Sequence, residues 1–180
     1  MAVLPRWAIG RKVNAMKAVV VYESLWGNTA AIARAIAEGI GAEARALSTA
    51  EATGPAIADA DLIVAGAPVL AFRLPSEQIR ESIRVNPGKV PAPPDLSHPS
   101  LRSWLDTLPE GHGRSAAFET RIWWSPGGAT AAIVRGLERA GYRTVAKARR
   151  FIVTGRCGPL RDGELERARL WGAELAQAMA

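Results

Sequence analysis

Residues 17–22 read KAVVVY, an almost wholly apolar, β-branched run, and a helical pattern follows within a few residues. A strand without polar alternation is buried on both faces. That points to a parallel sheet covered by helices on each side. In the following segment Ile32, Ile36 and Ile40 recur at i, i+4 and i+8, which gives a helix one apolar stripe. Asn28 or Thr29 is the expected cap of that helix, and Gly41 its expected stop.

The alternation continues along the chain. Residues 42–47 form a weaker second strand, and residues 61–66 (DLIVAG) a third, stopped by Gly66-Ala67-Pro68. Residues 75–83 read as a short helix. Residues 86–99 hold five prolines (Pro87, Pro91, Pro93, Pro94 and Pro99) and must run irregularly. One or two helical turns are expected over 101–108, a fourth strand over 114–119, and a helix over 129–140 with Gly141 as its stop. A fifth strand lies within 144–154, centred on Phe151-Ile152-Val153. The terminal helix, Glu164–Met179, should bury Leu165, Ala168, Leu175 and Met179 and leave its charges in water. Strands alternating with helices imply right-handed βαβ units.

Length and composition fit one domain. The chain has 180 residues, 48% hydrophobic and 22% charged. The regular pattern begins at Met16, so the domain is assigned to residues 16–180. Residues 1–15 are positively charged but lack the apolar core of a signal peptide. They read as an extension, packed on the domain by Trp7 or left unfolded, with Met16 as an alternative start. A single cysteine, Cys157, and two histidines exclude a disulfide framework and argue against a zinc or other metal site. No apolar run approaches the roughly 18 residues of a membrane span. A cytoplasmic location fits these features. The net charge of +6 favours anionic partners. No basic run with interleaved aromatics suggests a nucleic-acid groove. Neither a Gly-x-x-x-x-Gly-Lys-Ser/Thr loop nor a G-x-S-x-G elbow occurs.

In open α/β sheets, ligands bind beyond the carboxyl ends of the strands. Here those ends carry residues 23–29, 67–74 and 120–128. The first, Ser24-Leu25-Trp26-Gly27-Asn28-Thr29, has the parts of an anion site. Ser24 and Thr29 bring hydroxyls, Gly27 allows close backbone approach, and the helix start offers free N–H groups in a favourable dipole.

The order strand–S-x-x-G-N-T–helix resembles the phosphate loop of flavodoxins, commonly T/S-x-T-G-x-T. Residues 16–180 are similar to that family in element order. The openings VVYES and GNT, and the closing GPL, GELERA and WG, resemble small flavodoxin-domain proteins. The resemblance implies a flavodoxin-like doubly wound fold. Its five-stranded parallel sheet would have the order 2-1-3-4-5, in a three-layer α/β/α sandwich. It implies FMN as cofactor, with the phosphate on Ser24–Thr29.

Two further loops would then meet the flavin. Pro68, Val69, Leu70 and Phe72 match the segment beside the ring, although Val69 stands where the family has Thr, and Arg73 where it has Gly. Thr120 and Arg121 would bond the ring or the ribityl chain, and Trp123 or Trp124 would stack on it. Trp26 replaces the middle hydroxyl of the loop, and its indole N–H is a possible phosphate donor. Arg73 and Arg121 would favour a reduced, anionic flavin, making it less reducing than a typical flavodoxin's. The implied function is electron transfer to a partner protein, or reduction of a small acceptor such as a quinone. The alternative is a flavodoxin-like domain that has lost FMN and serves as a binding protein. No catalytic residue is assigned.

Overall fold

In the computed structural model, which describes residues 16–180, β1 (Ala18–Tyr22) lies between β2 (Ala44–Ser48) and β3 (Leu62–Pro68), parallel to both. The expected extension at residues 1–15, with Trp7, lies outside the described residues. β3 pairs in parallel with β4 (Arg114–Ile122). The far edge of β4 carries two pieces, β5 (Arg143–Thr144) and β6 (Arg149–Val153), both parallel to it. The sheet order is thus 2-1-3-4-5, as the resemblance implies, with the fifth position split in two.

Two cores sandwich this sheet. Strand alternation sends Ala18, Val20, Leu62, Val64, Ala116 and Phe118 to one face. They meet α1 (Asn28–Ile40), which supplies Ile32, Ile36 and Ile40, and α6 (Glu164–Met179), which supplies Ala168, Trp171 and Leu175. The rings of Phe118, Phe151 and Trp171 form a cluster with centroids 6.1–6.5 Å apart. α1 and α6 approach closely because Gly39 and Gly172 face each other's backbone. A Cβ on either would collide with the Arg169 or Ile36 carbonyl. The opposite face buries Val19, Val21, Ile63 and Ala65 under α4 (Leu101–Asp106) and α5 (Thr130–Arg139).

Several expectations need correction. α2 (Gly54–Ile57) was not foreseen. β3 continues through Gly66 to Pro68, and Gly66 is needed there because the Phe118 ring occupies the place of its Cβ. β4 runs three residues beyond Glu119. α3 spans Glu77–Val85, capped by Ser76, whose hydroxyl accepts the Ile79 N–H. In α6, Leu165 is exposed, while Trp171 and Gly172 are buried. Glu164 is buried and pairs with Arg161 and Arg167, so the helix charges are not all solvated. Residues 86–99 contain neither helix nor strand, as their prolines require.

Candidate functional site

The carboxyl ends of β1, β3, β4 and β6 border one pocket of about 420 Å³. This is within the range of small-molecule sites. At one end lies the first loop. The Gly27 N–H donates to Ser24 Oγ at 3.1 Å, closing the turn. Gly27 has φ 89°, a conformation that favours glycine, and it occupies the cap position of α1. No side chain caps this helix. The expectation that Asn28 or Thr29 does so is wrong, because both side chains have long-range partners. Asn28 Nδ2 donates to the Cys157 carbonyl at 3.0 Å, and the Thr29 hydroxyl meets the Thr120 hydroxyl at 2.8 Å. The first turn of α1 therefore keeps its N–H groups and its dipole for a ligand.

The loop is tied down from outside by the proline-rich segment. The Asp95 N–H donates to the Leu25 carbonyl at 2.8 Å, and His98 Nε2 lies 3.1 Å from the Ser24 carbonyl. The Trp26 indole N–H donates to the Ala92 carbonyl at 3.3 Å. This corrects the reading of Trp26 as a phosphate donor, since its one N–H is engaged elsewhere. Beneath the segment, the fully buried Glu23 carboxylate pairs with Arg80 at 2.5 Å and accepts the Leu101 N–H at 2.8 Å. Burial pushes the Glu23 carboxyl above its ordinary pKa, opposed by the Leu101 N–H and the Arg80 charge. Arg80 also donates to the Leu96 and His98 carbonyls, binding the segment to α3.

The other end of the pocket is built by the second and third loops. Pro68, Val69, Leu70 and Phe72 all line it, as expected. Leu70 and Arg73 pair across a tight turn in which Ala71 and Phe72 both have positive φ, 47° and 64°. Such torsions are costly for residues with a Cβ. The turn is braced by the Gly128 N–H, which donates to the Phe72 carbonyl at 3.0 Å. Phe72 itself is 55% exposed at the pocket mouth, not core.

Thr120 and Arg121 line the pocket from β4. Trp124 lines it too, whereas Trp123, also expected there, does not and is 74% exposed, because neighbouring side chains point to opposite sides. Neither tryptophan is buried under the proline-rich segment. Arg121 is buried and bonded to Glu119 at 2.9 Å and to the Gly127 carbonyl at 2.9 Å. Glu119 Oε2 in turn accepts the Ala129 and Thr130 N–H groups at the start of α5. Arg73 is exposed and does not line the pocket. The two arginines expected to charge the site are thus one neutralised and one outside it.

Parts of the pocket lie outside the three expected loops, Val153 at the end of β6 among them. Ile79, Ser82 and Ile83 of α3 form a wall of the pocket. Arg156, in the loop after β6, forms another. The rule that ligands bind beyond strand carboxyl ends applies to this fourth loop as well and was a sufficient signal for it.

A scan of protein-family models and a search of curated proteins find no match to this chain. Solved structures do match. An archaeal flavodoxin aligns at 21% identity with a TM-score of 0.63, covering 91% of this chain and 99% of its own. Flavodoxin 1 from Bacillus cereus aligns at 18% identity and 0.61, covering 89% and 97%. The flavodiiron core of Flv1 from Synechocystis aligns at 20% identity and 0.61, over 93% of this chain but 36% of that one.

Proposed function

The chain has the flavodoxin-like fold, and we propose that it is an FMN-binding redox protein whose pocket holds the phosphate on Ser24–Thr29. The observation that carries this reading is the uncapped start of α1 at one end of a pocket with largely apolar walls. Amides and hydroxyls at that end suit a phosphate. Apolar and aromatic groups at the other end suit a planar ring. In this reading Thr29 and Thr120 stand beneath the phosphate and ribityl portion. Phe72 and Trp124 flank the ring, and Val69 and Leu70 shield it from water. Bound FMN supplies the electron chemistry, and the chain supplies position and shielding. Exposed Phe72 and Trp124 leave one edge open to an acceptor, either a partner protein or a small molecule such as a quinone. A cytoplasmic location agrees with this role.

A second reading is a flavodoxin-like binding protein that has lost the cofactor. It is favoured by the engaged Trp26 N–H and by Val69, which removes a hydroxyl. The visible absorption spectrum, recorded before and after adding FMN, separates the two. A shifted, structured flavin band at one equivalent supports the first. An unperturbed spectrum of free FMN supports the second.

A further inference from the structure

Among the described residues, no acidic residue lines the pocket, and two cations do, Arg121 and Arg156. Arg121 is neutralised by Glu119. Arg156 forms no salt bridge and no side-chain hydrogen bond among the described residues. Its guanidinium carbon instead lies 5.6 Å from the centroid of the Trp26 ring, within the first loop. The loop that carries Arg156 is fixed to the same place by a second contact. Asn28, the first residue of α1, donates to the Cys157 carbonyl at 3.0 Å. Gly158 packs so closely on Asn28 that a Cβ there would clash with its amide. Two neighbouring residues of the first loop, Trp26 and Asn28, thus hold the backbone and the cation of the loop after β6.

We propose that Arg156 is a phosphate-recognition residue of this pocket, supplying a full positive charge where Trp26 has displaced a loop hydroxyl. The inference rests on the FMN reading and adds to it a specificity determinant. Trp26 then acts as the platform for a cation, not as a donor. Its N–H goes to Ala92, its face to Arg156, and the guanidinium keeps its N–H groups for a doubly charged monoester. The pocket would therefore discriminate between flavins by phosphate charge more strongly than amides alone allow.

The test is titration of the purified full chain with FMN and with riboflavin, which lacks only the phosphate, followed by quenching of flavin fluorescence. Arg156 is exposed, so Arg156→Gln should leave thermal unfolding unchanged, and this is checked first. Arg156→Gln is expected to weaken FMN about tenfold, the size of one charge-assisted hydrogen bond, and to leave riboflavin affinity unchanged. Arg156→Lys should keep most of the FMN affinity, and added salt should weaken FMN binding less in Arg156→Gln than in wild type. Equal losses for both flavins, or no loss for either, would overturn the inference while leaving the FMN reading intact. So would a wild-type protein that binds riboflavin as tightly as FMN. A wild-type protein that binds neither flavin removes the FMN reading and this inference together.

Discussion

The two ends of the pocket are built on opposite plans. At the Ser24–Thr29 end, the Ser24 and Leu25 carbonyls and the side chains of Trp26, Asn28 and Thr29 each have a partner outside the loop. At the Phe72–Trp124 end both aromatic side chains stand in solvent, and Phe72 sits on a turn with two unfavourable torsions braced by backbone bonds. A buried carboxylate–arginine pair lies behind each end, Glu23–Arg80 and Glu119–Arg121. In the proposed reading this contrast separates ligand affinity from ligand access. The rigid end is shaped before a ligand arrives and loses little entropy on binding. In the proposed FMN reading, the open end would keep an edge free for exchange with an acceptor.

The largest expected effect concerns the two buried pairs. Arg80→Met strands the Glu23 charge with the Leu101 N–H as its remaining partner and frees the proline-rich segment. Removing one member of such a pair costs about 3–5 kcal/mol, read from urea unfolding. Arg121→Met should cost less, because Glu119 keeps the Ala129 and Thr130 N–H groups, with Arg150 3.5 Å away. Equal losses would break the distinction between the two ends.

Next come the loop variants. Gly27→Val forces a β-branched residue into φ 89°, and Thr29→Ala removes the hydroxyl shared with Thr120. Both should weaken FMN, the first more than the second. A loss of about tenfold or more is expected for Gly27→Val, because a loop that leaves φ 89° to relieve roughly 1–2 kcal/mol of backbone strain withdraws its N–H groups from the phosphate. Unchanged affinity in both would remove the loop from the site.

At the open end the sign reverses. Replacing Ala71-Phe72 by Asn-Gly suits a turn with two positive φ angles. It should raise stability by about 1 kcal/mol in thermal or urea unfolding, while weakening flavin binding through loss of Phe72. The smallest effect separates the neighbouring tryptophans. Trp124→Ala should weaken FMN by a few-fold, about 0.5–1.5 kcal/mol for a lost aromatic contact, and Trp123→Ala should leave it unchanged. The reverse order would make Trp123 the stacking residue.

The same contrast explains what could be read from the sequence. KAVVVY and DLIVAG declared themselves as buried parallel strands by composition alone, and Glu164–Met179 has the bounds expected of it. The phosphate-loop pattern was legible because its residues are contiguous. The partner of the Trp26 N–H was not, since Ala92 lies 66 residues away in a segment without periodicity. Thr120, Arg121 and Ile122 look like a loop because two of them are polar. They complete a strand because Thr120 finds the Thr29 hydroxyl on one face and Arg121 finds Glu119 on the other. In α6, Leu165 is exposed and Trp171 is buried because Gly172 sets which side meets α1.

The most direct measurement is a crystal structure of the protein grown with FMN. The phosphate is expected against the first turn of α1, within hydrogen-bond reach of the Ser24–Thr29 loop, and the flavin ring between Phe72 and Trp124. An FMN phosphate bound elsewhere, or a pocket that excludes FMN, would contradict that placement.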